Sequence, residues 1–189
     1  EAPLAWVDAI GGWVVTGREL AVAIMRDAER FTVDDPRFST AQVAGPSMLS
    51  TDGRAHARHR DPFAAAYCPS EVTRRYEAVV TRMAGRLVAE LAPRGEAELR
   101  RELAGPLAVA VVALSLGLER LDPATLLGWY DRIVAAVDDV TFGREVDPAA
   151  WQAFGLLGSA LDSAARRPDS VLHGAAQVLT PTEVVSNAA

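Results

Sequence analysis

The longest apolar stretch of the sequence runs from Leu103 to Leu118 and limits the folds that are open to this chain. It is shorter than the roughly 20 residues that a membrane-spanning helix needs, and Gly105 and Pro106 interrupt it near its start. The segment ELRRELAGPLAVAVVALSLGL is polar at first and then apolar on every side of a helix. Because such a helix packs in the middle of a bundle, the sequence predicts a mainly α-helical protein built around a buried helix here.

A short β-hairpin and several further helices are predicted around this segment. PLAWV and WVVT are β-prone, with Gly11 and Gly12 between them, and Thr16 with Glu19 has the spacing of a capping box for the next helix. An apolar stripe then predicts a long helix that Pro93 and Gly95 end: Val72, Tyr76, Val79, Met83, Leu87 and Leu91. Other helix starts are indicated at Ser70–Glu71, Asp122–Pro123, Asp147–Pro148 and Thr180–Pro181. With no repeat and no linker between them, residues 1–189 are interpreted as one domain.

The last ten residues, TPTEVVSNAA, contain a helix start without a matching stop. Thr180 is placed as the N-cap, Pro181 as the first helical residue, and Glu183 to complete the capping box. A helix of about two turns is marginal on its own in water. We therefore expect the natural chain to continue past Ala189.

The overall charge limits the classes of partner. A formal net charge of −6 argues against general affinity for nucleic acid or anionic membranes, and no basic recognition helix of a DNA-binding regulator is present. The single cysteine, Cys68, excludes an internal disulfide framework and is compatible with a reducing cytoplasm. Against this acidic background, residues 54–60, RAHARHR, form a local basic cluster.

The basic cluster has three interpretations. If it is helical, His56 and Arg60 lie four residues apart on one face and form a clamp for an anion with two oxygens, a carboxylate or a phosphate, while Arg58 points elsewhere. It could also be a solvated helix face with weak ion pairs to acids such as Asp52 and Asp61, which the spacing alone favours. His56 and His59 as metal ligands are the weakest interpretation, because no further ligand-spaced partners accompany them.

The segment MLSTDGRAHARHRDPFAAAYCPSEV resembles the C-helix region of bacterial cytochromes P450, the haem-thiolate monooxygenases, in its His-x-x-x-Arg pattern at His56 and Arg60. The resemblance extends in both directions and in the same order. WVVTGRELAVAIMRDAERFTVDDPRFST is similar to the hairpin strand, B helix and Asp-Pro-Arg-Phe-Ser turn of the family, and LTPTEVVSNAA to the opening of its I helix. The resemblance implies the N-terminal half of the P450 fold, a short β-hairpin followed by helices B to the start of I.

In this family the corresponding histidine and arginine hold a haem propionate, so the resemblance implies haem b as cofactor and His56 and Arg60 as the residues that bind its propionate. Met48 and Leu49 become candidate haem or substrate contacts, and Arg58 a candidate for the redox-partner surface. The implied activity is oxidation of a small organic substrate with O2 and electrons from a ferredoxin-type partner, in the cytoplasm. The resemblance implies neither a nucleic-acid partner nor a membrane partner, and no metal ligand within the chain.

The same resemblance identifies what the chain lacks. The family's oxygen-activating acid–threonine pair and its iron-ligating cysteine loop fall beyond the matched region, and Cys68 stands at a variable place in the family pattern. We therefore expect a partial P450 domain with no catalytic residue of its own. The alternative hypothesis is a non-catalytic helical fragment, derived from a P450, that binds a ligand or a partner.

Overall fold

A computed structural model describes residues 3–189 and begins with a two-stranded antiparallel hairpin. Strand β1 (Leu4–Val7) pairs with β2 (Gly12–Val15) across a 3₁₀ turn, and Trp6 lies opposite Trp13. The two indole rings meet edge to face with their centroids 5.6 Å apart. Gly11 has φ +57°, a left-handed conformation that glycine adopts without steric cost, so the predicted hairpin and its glycine turn are confirmed.

Helices follow the hairpin for the rest of the described chain, and the predicted mainly α-helical class is confirmed. The α-helices are α1 (Arg18–Met25), α2 (Ser39–Ala44), α3 (Gly53–Ala64), α4 (Pro69–Leu91), α5 (Gly105–Leu116), α6 (Pro123–Thr141), α7 (Pro148–Ala165), α8 (Val171–Ala175) and α9 (Pro181–Ala188). In the part of the chain from residue 3 onward, no helix has the length and apolar character needed to cross a bilayer.

Most of the predicted helix starts are present. The side chains of Asp122, Asp147 and Thr180 each accept a hydrogen bond from a backbone N–H in the first turn of α6, α7 and α9. The prediction for Thr16 is wrong, because Gly17 occupies the N-cap of α1. The Thr16 amide donates to the carbonyl of Pro3 at 3.0 Å and so still belongs to the end of the hairpin, which delays the helix by one residue.

The core lies where α6, α7, α8 and α9 pack together. Its most deeply buried side chains are Leu126, Leu157, Leu161, Leu172 and Val184. The apolar helix α5 is less covered than predicted: Ala113 and Leu116 are its buried residues, and Val112 is exposed. A π-helical turn, Arg100–Ala104, precedes α5. The Gly105 amide donates a hydrogen bond to the Arg100 carbonyl at the end of this turn. Gly105 and Pro106 therefore begin α5.

Candidate functional site

The basic cluster lies on α3, at the edge of a cavity of about 600 Å³. Arg60 from α3 lines this cavity together with Met48 and Leu49 from the loop that precedes the helix. The rest of the wall is mostly apolar and comes from α3, α5, α6, α9 and nearby residues: Phe63, Ala64, Tyr67, Val112, Ser115, Leu116, Tyr130, Asn187, Ala188 and Ala189. The fold therefore brings three of the predicted site residues, Met48, Leu49 and Arg60, to one cavity.

Arg60 is the cationic group of this cavity. Its side chain is exposed, and its guanidinium makes no hydrogen bond or ion pair with any other residue of the described range 3–189. A guanidinium presents several N–H donors in one plane and can grip both oxygens of a carboxylate. Arg60 is thus available to bind an anion at the rim of an apolar space.

His56 is half-buried and is held by the loop before α3. Its Nδ1 lies 2.9 Å from the carbonyl oxygen of Met48. Because a carbonyl oxygen can only accept, Nδ1 must carry the proton of this hydrogen bond. The other ring nitrogen, Nε2, can then donate to an anion only when the imidazole is charged. His56 is not among the residues that line the cavity. It is hydrogen-bonded to Met48, which does line it.

Arg58 does not line the cavity and binds α9 instead. Its guanidinium donates to both carboxylate oxygens of Glu183, at 2.6 and 2.9 Å. This pairing, together with hydrogen bonds from Thr180, lowers the pKa of the Glu183 carboxyl to about 2. Glu183 also completes the capping box of α9, so one carboxylate begins that helix and ties it to α3. Arg58 as a redox-partner residue stays a prediction, with its side chain still 44% exposed.

We expect Glu183→Gln to lower the free energy of unfolding by about 1 kcal/mol, because glutamine keeps the capping box but lacks the negative charge that pairs with Arg58. Glu183→Ala loses both and should cost about 2 kcal/mol. The folded carboxyl has a lowered pKa, so its contribution is complete above about pH 4.5 and is lost as the pH falls towards 2. Urea unfolding between pH 7 and pH 3 should therefore show that the difference in free energy of unfolding between wild type and Glu183→Gln becomes smaller as the pH falls. The exposed Glu90→Gln is the control, and a gap independent of pH would contradict the ion pair.

A second set of polar contacts joins α9 to α3 and the preceding loop, and no local sequence pattern indicated these contacts directly. The side-chain oxygen of Asn187 accepts from the Met48 amide at 2.8 Å, and its nitrogen lies 2.7 Å from Nδ1 of buried His59. That nitrogen also donates to the Glu183 carbonyl at 2.7 Å. Asn187 and Glu183 are four residues apart on one face of α9, which was the available signal.

The loop between α2 and α3 is fixed at both ends. The buried Ser186 hydroxyl of α9 donates to the Ala44 carbonyl at 2.5 Å, and Gly45 follows with φ +86°. A Cβ on Gly45 would lie 2.8 Å from the Ser186 oxygen, so glycine is required for both its conformation and this close approach. At the other end, Asp52 accepts hydrogen bonds from Thr32 and from the Val33 amide, which lower the pKa of its carboxyl.

The remaining candidates lie outside this cavity. Cys68 is the N-cap residue of α4, with Sγ 3.4 Å from the Ser70 hydroxyl, and does not line the cavity. Within residues 3–189, no three histidine, cysteine, aspartate or glutamate side chains group in a way that could hold a metal ion. The contacts of His56 and His59 described above each use Nδ1 for a hydrogen bond within the protein.

Sequence comparisons align two known proteins with most of this chain. The chain is 31% identical over 149 residues to "Cytochrome P450 BJ-1" of Bradyrhizobium diazoefficiens, covering 75% of this chain and 36% of that protein. It is 29% identical over 137 residues to the "Methyl-branched lipid omega-hydroxylase" of Mycobacterium tuberculosis, covering 68% of this chain and 32% of that protein. No model of a known protein family matches it. The chain therefore spans about a third of the length of these relatives.

Comparison with solved structures confirms the predicted cytochrome P450 fold. The solved structure of cytochrome P450 260B1 from Sorangium cellulosum So Ce56 superposes with a TM-score of 0.75 at 23% sequence identity. The superposition covers 97% of this chain and 49% of that one.

Proposed function

This chain is part of a cytochrome P450, and on that premise we propose that it supplies the propionate clamp of a haem-dependent monooxygenase. His56 and Arg60 would hold a propionate of haem b. The observation that carries the proposal is the guanidinium of Arg60, which has no partner within residues 3–189 and stands at the rim of a cavity of about 600 Å³.

The residues present fit a haem group. Haem is a flat, largely apolar molecule with two carboxylates at one edge, so its site needs an apolar wall and a local cation. Met48, Leu49 and Phe63 contribute to such a wall, and Arg60 provides the cation. In its charged form His56 can add a second donor through Nε2, while its Nδ1 stays bonded to Met48. A propionate left without these donors would be a poorly compensated charge beside an apolar cavity.

When bound, the haem supplies the iron that activates O2, and the protein supplies binding, orientation and exclusion of water. For this chain we assign Arg60 and His56 to charge compensation, and Met48 and Leu49 to apolar contact with haem or substrate. The resemblance supports a small organic substrate, a ferredoxin-type redox partner and a cytoplasmic location. By the same resemblance, the iron-ligating cysteine and the oxygen-activating threonine would lie outside these 189 residues; Cys68 does not line the cavity and is not assigned the cysteine's role.

A carbon monoxide difference spectrum of the reduced protein, expressed from its complete coding sequence, tests this function. We expect the band that distinguishes thiolate-ligated haem. A protein that binds no haem, or haem without the thiolate signature, would contradict the proposal and favour the alternative of a non-catalytic fragment. The names of the relatives give the alternative no support.

A further inference from the structure

Met48 uses both of its backbone polar groups to connect α9 with His56. Its amide donates to the side-chain oxygen of Asn187 at 2.8 Å, and its carbonyl accepts from Nδ1 of His56 at 2.9 Å. Asn187 lies 139 residues away in sequence, whereas His56 lies 8 residues away. The orientation of the His56 ring therefore depends on where α9 holds the backbone of Met48.

We propose that Asn187 is a positioning residue that aims the imidazole of His56 at the haem propionate by fixing the backbone of Met48. This inference rests on the proposed function, in which His56 and Arg60 hold the propionate. Asn187 would not bind the propionate itself. It would act through two hydrogen bonds in series, so that Nε2 of His56 meets the carboxylate without first having to be oriented.

The amide of Asn187 can make its contacts in one orientation only. Its oxygen accepts from the Met48 amide, while its nitrogen donates to the Glu183 carbonyl and faces Nδ1 of His59, each at 2.7 Å. A flipped amide would place its oxygen against the Glu183 carbonyl and its nitrogen against the Met48 N–H, so these two contacts would be lost together. Asn187 is only partly exposed, which makes such losses costly.

The same contacts settle the proton position on His59. Because the Asn187 nitrogen donates, Nδ1 of His59 accepts, and its proton sits on Nε2, which lies 3.9 Å from a carboxylate oxygen of Glu183. Glu183 is in turn fixed by the two hydrogen bonds from Arg58. The nitrogen of Asn187 is therefore held by His59 and by the Glu183 carbonyl, while its oxygen holds the Met48 amide.

The test is a double-mutant cycle on the rate of haem loss from the complete protein, measured as transfer to an excess of a haem-free acceptor protein. We expect Asn187→Leu to accelerate haem loss by about tenfold in the wild-type background. In the His56→Leu background it should have no further effect, because the residue through which it acts is gone. Equal acceleration in both backgrounds would overturn the proposal and assign Asn187 to general stability.

A further variant separates positioning from folding. Ser186→Ala removes the hydrogen bond from α9 to the Ala44 carbonyl without involving Met48. Its effect on haem loss should therefore be equal in the wild-type and His56→Leu backgrounds. A Ser186→Ala effect that disappears with His56, like that of Asn187→Leu, would also overturn the proposal.

A failure of this inference can be told apart from a failure of the proposed function. If His56→Leu leaves haem loss unchanged while the protein still shows the thiolate–haem spectrum, the propionate clamp is wrong, and the inference about Asn187 falls with it. If His56→Leu accelerates haem loss and Asn187→Leu does not, the clamp stands and only the positioning role is wrong.

Discussion

Leu157→Ala is expected to lower the free energy of unfolding by about 2–5 kcal/mol. Leu157 lies on α7 and has no solvent-exposed surface, and α7 packs against α6, α8 and α9 at the centre of the core. Truncation to alanine removes buried apolar atoms and leaves a cavity that the surrounding helices close only in part. A loss of this size is a large share of the stability of a typical domain.

The adjacent Leu156 provides a matched control for this experiment. Its side chain is 47% exposed, so Leu156→Ala makes the same chemical change on the outer side of α7 and should cost no more than about 0.5 kcal/mol. Urea unfolding of both variants of the complete protein, followed by far-UV circular dichroism, measures the difference. Similar losses from the two variants would mean that the buried face of α7 is assigned incorrectly.

Local signals in the sequence were sufficient for the elements that depend on neighbouring residues. The hairpin follows from β-prone segments and a glycine pair, and the caps at Asp122, Asp147 and Thr180 follow from one polar side chain and the residue after it. The four-residue spacing of His56 and Arg60 likewise places both on one helix, and α3 is helical across that interval. Each of these features is decided within a few residues of chain.

The network at α9 could not be predicted in this way, because its partners are distant in sequence. Arg58 meets Glu183 across 125 residues, and Asn187 meets His59 across 128. Glu183 already had a complete local role in the capping box, so nothing in the sequence indicated its second partner. Only the packing of α9 against α3 and the preceding loop brings these groups together.

Two sequence-based predictions, the N-cap at Thr16 and the full burial of α5, were wrong because contacts with other parts of the chain outweighed a local pattern. Thr16 carries a good capping pattern, but its amide is already bonded to Pro3 in the hairpin, and this contact moves the start of α1 to Arg18. The apolar composition of α5 predicts burial on all sides, whereas Ala113 and Leu116 are the residues of that helix that are buried. The apolar composition of a helix shows which side chains can be buried, whereas the packing of neighbouring elements determines which of them are covered.

For the cofactor site, we expect Arg60→Leu to accelerate haem loss from the complete protein by about ten- to a hundredfold. A hydrogen bond to a charged group contributes about 1.5–3 kcal/mol, and about 1.4 kcal/mol corresponds to a factor of ten. Arg60 has no competing partner within residues 3–189, so its full donor capacity is available to the propionate. Arg60→Lys keeps the charge but loses the planar pair of donors, and should fall between wild type and Arg60→Leu.

Arg54→Leu is the matched control, because Arg54 is an exposed arginine on the same helix and is not among the cavity-lining residues. Both substitutions remove one positive charge from α3, so a general electrostatic effect on haem would appear in both and would weaken with added salt. An effect of the clamp would appear in Arg60→Leu alone and would resist screening, since the contact is direct. Equal rates of haem loss from Arg54→Leu and Arg60→Leu would reduce the basic cluster to a solvated helix face, the interpretation that spacing alone left open.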